Sequence, residues 1–404
     1  MRQDAAARPP RTSSQPIRHT SLQVVLRSIY DHSPVSRADV ARRTGLTRTT
    51  VSDVVDQLLG AGLVREIGLG QSTGGKAPIL LEVPPDARHL IGIEVGDSRL
   101  TGAIVNLRGE IRHAIEMPLD GRDGELALER LDELVERLVA STDRPLLGIG
   151  LGTPGLIDTS TGTVRWAVNL DWRDLPLGDH LRERAHLPVY VANDSHAAAL
   201  GEHTFGGHVG VASMIVIRVG RGIGAGIVLD GRLYQGDAFG AGEIGHTAVA
   251  GNERPCRCGG VGCLETLAST RATVQRAREQ APFAPESMLH GRVLDDLDFD
   301  DLIAAFHAGD ELAREIVADA AHQIGRSIGG LIGALNIRNV VLVGEMTRLG
   351  EPWLSIVRRE AHRSALTLLA DDTRIEIGRV ERNLVVVGAA ALLMTRELGL
   401  SLVG

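Results

Sequence analysis

Residues 36–78 read SRADVARRTGLTRTTVSDVVDQLLGAGLVREIGLGQSTGGKAP, and their punctuation decides the fold of the chain's head. Ser36, with Asp39 three residues on, has the spacing of a capping box, so a helix opens there with Val40 facing inward. Gly45 breaks that helix. Thr47 is placed to cap a further one, whose inner stripe is Val51, Val54, Val55 and Leu58. Upstream, Leu22, Val25, Leu26 and Ile29 recur at helical spacing between Ser21 and Tyr30. After Gly60 and Gly62 the pattern changes to short strands around 63–67 and 79–83, joined by the Gly-, Ser- and Thr-rich stretch 68–78. Three short helices followed by a hairpin predict a winged helix over 20–84, ended by Pro84 and Pro85. Residues 1–19 lack hydrophobic periodicity and are expected to form a disordered tail.

In a helix-turn-helix the second helix of the motif enters the major groove, and its first residues reach base edges. That places Thr47, Arg48, Thr49 and Ser52 against bases, with Arg42 and Arg43 suited to backbone phosphates. Lys76, the only lysine in the chain, sits in a glycine-rich wing that fits a minor groove. Charge agrees: residues 1–84 carry eleven Arg and Lys against seven Asp and Glu, whereas the remainder carries 32 against 44. The competing interpretation is a small protein-interaction domain with a solvated arginine face.

At 404 residues the chain is too long for one compact core. Its apolar fraction of 43% is that of an ordinary globular protein, and no uncharged apolar run is long enough to span a membrane. The N-terminus has arginines without an apolar region behind them, so a secretory signal is not expected and the expected location is the cytoplasm. From His89 onward, β-rich runs alternate with helical stretches, which predicts an α/β body with two lobes around a cleft. The first lobe is assigned to 88–198 with 383–404, the second to 199–382. Lys76 is not followed by Ser or Thr, so a Gly-Lys-Ser/Thr phosphate loop is excluded.

All three cysteines lie within eight positions, in CRCGGVGCLE at 256–265, shortly after GEIGH at 242–246. His246, Cys256, Cys258 and Cys263 make a Cys₃His set suited to a structural zinc ion. The alternative is three free thiols packed as small apolar groups, for which Arg257 and three glycines are poor neighbours. The run 189–192 ends in Asn193-Asp194, a polar pair at a strand's C-terminal end; taken alone, such a pair is more often a turn or helix cap than a ligand site.

The head and the Cys/His stretch together resemble repressors of the ROK family (repressors, open reading frames and kinases), over almost the whole chain from about Thr20. The resemblance implies a body built like a sugar kinase, of the actin-like and ribonuclease H-like architecture, with structural zinc. It makes Asn193, Glu243, His246 and Glu265 sugar ligands, with Asn169 and the 152–155 loop lining the cleft. It makes Asp194 the position of a kinase's general base, which takes a proton from the attacking hydroxyl. The phosphate segments depart from the kinase pattern: Glu94 replaces aspartate, Arg99 replaces a small hydroxyl residue, Arg221 replaces threonine, and Glu345 replaces glycine. The expected function is therefore a sugar-responsive regulator, a repressor by resemblance, without catalysis. Its expected partners are double-stranded operator DNA and a small sugar effector, and its expected assembly is a homodimer or homotetramer. An active sugar kinase with an accessory head, and a scaffold using the zinc loop for protein contacts, are the competing expectations.

Overall fold

The computed structural model describes residues 15–71, 77–380 and 383–400. The described residues form two compact units, one within 15–88 with 394–400 and the other within 89–393.

The head has helices α1 (Gln15–His32), α2 (Arg37–Thr44) and α3 (Arg48–Gly60), and strands β1 (Val35–Ser36), β2 (Arg65–Leu69) and β3 (Ile79–Glu82) in the order β1-β3-β2. Ser36 caps α2 through a reciprocal capping box with Asp39, and Gly45 ends it in the left-handed region at φ 70°. Thr47 caps α3 by accepting from the Thr50 amide, and Val51, Val54, Val55 and Leu58 are all buried. Two details differ from the sequence expectation. Helix α1 begins at Gln15, inside the expected tail, whose residues 1–14 lie outside the described residues. The hairpin also gains β1, a strand too short to leave a period-two pattern.

The body is built on two five-stranded sheets. The first contains β4 (His89–Val95), β5 (Arg99–Asn106), β6 (Ile111–Pro118), β7 (Leu146–Thr153) and β11 (Val189–Asn193), in the order β11-β7-β4-β5-β6. Helix α4 (Gly124–Ala140) follows β6, and a small antiparallel sheet of β8 (Leu156–Asp158), β9 (Thr163–Ala167) and β10 (Trp172–Leu175) precedes α5 (Leu177–Ala185). Helix α6 (Asp194–Phe205) then leads to the second sheet, β14-β13-β12-β15-β16. Its strands are β12 (Met214–Val219), β13 (Ile223–Leu229), β14 (Arg232–Tyr234), β15 (Asn339–Val343) and β16 (Arg374–Ile377). Between β14 and β15 run α7 (Glu265–Ala268), α8 (Thr270–Gln280), α9 (Phe299–Ala308) and α10 (Glu311–Leu335); α11 (Gly350–Arg363) and α12 (Thr367–Asp371) precede β16, and α13 (Leu384–Leu398) comes last.

Two larger apolar cores form, and a smaller one lies between α6 and β12. One packs α4 and α5 on the first sheet around Leu131, Leu134 and Leu151. The other packs the helices between β14 and β16 on the second sheet around Ile217, Ile324 and Trp353. Helix α13 meets α6 and β7 by close backbone approach: a Cβ at Gly388 would collide with the Ala197 carbonyl, and one at Gly150 in β7 with that of Ala389. This pins the start of α6 beside the C-terminal ends of the parallel strands β4, β7 and β11, where α/β sheets place their ligands. The last residues of α13 group with the head, whereas the sequence expectation assigned all of 383–404 to the first lobe.

Candidate functional site

The C-terminal ends of β4, β7 and β11 and the turns around β12, β13 and β15 enclose a cleft of about 530 Å³. Its walls include Glu94, Asp97, Asn169, Asn193, Asp194, Arg218, Arg221, Glu243, His246, Arg257, Glu265 and Glu345. All six expected sugar-site residues therefore line one cavity.

Asn193 is the last residue of β11 and the N-cap of α6, so the pair is a helix cap that also lines the cleft. Its Oδ1 accepts from the amides of Ser195 (2.8 Å) and His196 (3.3 Å). The cap fixes the amide's orientation and turns Nδ2 toward Gly155 O (3.0 Å) and Glu243 Oε1 (3.4 Å). The GEIGH segment can lie against β13 only because it carries glycines: a Cβ at Gly242 would strike the Ala225 carbonyl, and one at Gly245 that of Ile223. Burial, reinforced by the negative charges of Asp194 and Glu265, pushes the Glu243 carboxyl up to about 7. Glu265 opens α7 and accepts from the Ile223 amide at 3.0 Å, tying the β12–β13 turn to the metal loop.

The four expected metal ligands come together. The ligand atoms of His246, Cys256, Cys258 and Cys263 all lie within 4.8 Å of one another, so the cluster can hold a metal ion. His246 Nδ1 lies 3.7 Å from Cys256 Sγ, and Cys258 Sγ lies 3.7 Å from Cys263 Sγ. His246 Nε2 faces the other way, 3.9 Å from Glu243 Oε2. The loop closes through Cys256 N to Gly260 O (2.8 Å), with Gly259 and Gly262 in the left-handed region. Burial and the neighbouring thiols push Cys263 up to about 12, so a metal must displace its proton to bind the thiolate.

A second polar group surrounds Asp97. It accepts from Arg271 (2.6 Å) and from Asn169 Nδ2 (2.9 Å), and the Arg221 guanidinium lies 3.6 Å away. Asn169 Oδ1 in turn accepts from Arg257 at 3.2 Å. Asn169, expected from the resemblance to line the sugar side, is thus held within an arginine network. Burial, with repulsion from Arg257 and Arg221 added, lowers the Arg271 pKa despite its ion pair with Asp97. Arg99 pairs with Glu116 on the adjacent strand at 4.0 Å, and Glu345 accepts from Thr270 at 3.1 Å.

One residue of the cleft was missed in the sequence. Arg218 donates to Asp194 Oδ2 (2.6 Å) and to Glu94 Oε1 (2.7 Å). Its signal was the single charge in the apolar strand MIVIRV. Burial works against the guanidinium's charge, but Asp194 and Glu94 outweigh it and raise its pKa.

Residues 90–396 match the family model described as the ROK family. The chain belongs to the ROK family. Residues 24–68 of this ROK protein match a second model, described as the MarR family. It is 32% identical over 378 residues to the xylose repressor of Caldicellulosiruptor bescii, covering 92% of this chain and 94% of the relative. It is 35% identical over 323 residues to a glucokinase of Halalkalibacterium halodurans, covering 77% of this chain and 96% of the relative. Among solved structures it resembles a ROK family transcriptional regulator, a homologue of the Escherichia coli MLC protein. The TM-score is 0.84 at 26% identity, covering 96% of this chain and 98% of that one.

In the head, Arg48 and Thr49 are exposed at the start of α3, and Ser52 is half-buried one turn on. Thr47 spends its hydroxyl on the cap and on Thr50 Oγ1 (2.8 Å), and Arg42 pairs with Asp39, whereas Arg43 is exposed. Lys76 lies outside the described residues. Among the described residues no helix is long and apolar enough to cross a membrane.

Proposed function

We propose that this ROK protein is a sugar-responsive transcriptional repressor that binds operator DNA through α3 and the wing and uses its body as a sensor. The observation that carries this is the winged-helix head joined to a ROK body, over a length that matches a protein named xylose repressor across 92% of the chain. Exposed Arg48 and Thr49 are the base-contact residues and Arg43 a phosphate contact. Asn193, Asp194, Glu243, His246 and Glu265 receive the sugar, because carboxylates and the fixed Nδ2 amide match vicinal hydroxyls.

His246, Cys256, Cys258 and Cys263 hold zinc as a structural ion. For bonds of about 2.0–2.3 Å, tetrahedral ligand atoms stand roughly 3.3–3.8 Å apart, and two of the cluster's separations are 3.7 Å. When bound, the ion supplies a rigid anchor for the loop. His246 binds it through Nδ1, which leaves Nε2 for a hydroxyl.

The body does not phosphorylate its sugar. Phosphoryl transfer needs free donors and magnesium around the phosphates. On that side of the cleft Arg221 and Arg271 already converge on Asp97. The decisive experiment measures binding to DNA fragments recovered by genomic selection, with and without D-xylose, D-glucose and N-acetylglucosamine, alongside ADP release with the same sugars. Sugar-sensitive DNA binding without turnover is expected. Turnover abolished by Asp194→Asn would make the protein a kinase instead.

A further inference from the structure

Arg218 occupies a place that strand and helix geometry create together. Along β12, Met214, Val216 and Arg218 share a face. Met214 and Val216 pack in one apolar cluster with Ala197, Ala198 and Ala199 of α6. Arg218 continues that face to the start of the helix, where Asp194 stands. Its cross-strand neighbour Gly224 has no side chain, and a Cβ there would strike the Ser195 hydroxyl. A guanidinium at a helix N-terminus is opposed by the helix dipole, so the two carboxylates are what hold it.

Those carboxylates belong to separate segments. Glu94 is the penultimate residue of β4, Asp194 follows β11, and both strands are in the first sheet, whereas Arg218 belongs to the second. Asp194 Oδ1 accepts from the Ser195 hydroxyl at 3.2 Å, so both its oxygens are oriented while each keeps a lone pair for a further donor. Arginine stays charged at any working pH and its planar fork sets the angle between the two carboxylates.

We propose that Arg218 is a positioning residue for sugar recognition: it clamps Glu94 and Asp194 across the two sheets, presetting the carboxylate that receives a ring hydroxyl. This rests on the sugar-sensing function proposed above. The clamp acts on the ligand through Asp194. It orders Asp194 before the sugar arrives, so less freedom is lost on binding.

The experiment uses the full chain, with Arg218→Met and the milder Glu94→Gln, which keeps an acceptor at the same place. In hydrogen exchange without sugar, the amides of 96–98 and 195–196 are expected to exchange about tenfold faster in Arg218→Met, and by an intermediate factor in Glu94→Gln. Unchanged exchange in both overturns the clamp. Calorimetry with D-xylose, D-glucose and N-acetylglucosamine then tests recognition. Arg218→Met is expected to weaken the sugar that wild type binds by roughly tenfold, and to add little in an Asp194→Asn background. Fully multiplicative losses would make Arg218 a packing residue and overturn the proposal. A wild type that binds none of these sugars overturns the sensor function, and the exchange measurement still decides whether the clamp exists.

Discussion

Arg257, set between Cys256 and Cys258, donates across 3.2 Å to Asn169, whose amide in turn holds Asp97. The metal loop and the cleft are therefore one hydrogen-bonded network. If the cluster holds the proposed ion, its removal frees the backbone that aims Arg257 and His246, and disturbing the groups around a metal site typically costs 10–100-fold in metal affinity or activity. Chelated protein, or Cys258→Ser, is expected to melt several degrees lower and to bind its sugar roughly tenfold more weakly. Arg257→Ala should keep the metal, by elemental analysis, and lose only a few-fold in affinity. Undiminished sugar affinity in metal-free protein would disprove the coupling.

Burial, with repulsion from the nearby Asp194 and Glu265 added, raises the Glu243 carboxyl to about 7. Glu243→Gln keeps the shape and removes that repulsion, so the sugar-free protein is expected to melt at a slightly higher temperature at pH 7.5. The same change removes a charged acceptor. Hydrogen bonds to charged groups contribute about 1.5–3 kcal/mol, so sugar affinity should fall roughly 10–150-fold. Opposite signs in the two measurements are the signature of a site whose unpaired charge serves its ligand. A variant that lost both stability and affinity would show Glu243 to be structural.

The pH profile follows from α6. His196 and His203 are buried there, donating to the carbonyls of Ala241 (2.7 Å) and Val211 (2.9 Å). Burial lowers both from the ordinary value of 6.5. As pH falls through 6.5 the unfolded chain takes up these protons before the folded one, so their contribution is complete above that pH and lost below it. Glu94 acts in the opposite sense. Burial raises its carboxyl despite Arg218, so protonation on acidification favours the folded state. Melting temperatures from pH 5 to 7.5 should decline on the acid side, less in His196→Gln and more steeply in Glu94→Gln. An acid limb unaltered in the double variant His196→Gln, His203→Gln would rule out this origin.

Local signals in the sequence carried the head and the metal loop, because each is built from residues close in the chain. The Ser36–Asp39 box, the Thr47 cap and the α3 stripe are contacts within one or two turns. The cysteines fall within eight positions and the glycines between them permit only a tight loop. What stayed hidden depends on long-range convergence. Arg218 meets Glu94 across 124 positions, and Arg271 meets Asp97 across 174. No periodicity encodes such pairs. Asn169 was named through the resemblance, but its partners Asp97 and Arg257, 72 and 88 positions away, left no local signal. The short strands β1 and β8 are too brief to show alternation and form only against their partners.

At the head, two neighbouring residues separate stability from recognition. Thr47 Oγ1 accepts from the Thr50 amide at 3.2 Å, and removing an N-cap of this kind costs about 0.5–2 kcal/mol. Thr47→Ala is therefore expected to lower the head's stability and to weaken binding to all DNA sequences alike. Arg48 is exposed one position later, so Arg48→Ala should leave the melting temperature unchanged. If Arg48 reads a base, selected DNA loses roughly 1–3 kcal/mol and specificity relaxes at one position. If it contacts phosphate, binding falls uniformly and the slope of log affinity against log salt drops by about 1. Arg42, already paired with Asp39, should matter less than either. Fluorescence anisotropy at several salt concentrations distinguishes these cases, and an Arg48→Ala protein with wild-type affinity and salt slope would remove α3 from the DNA interface.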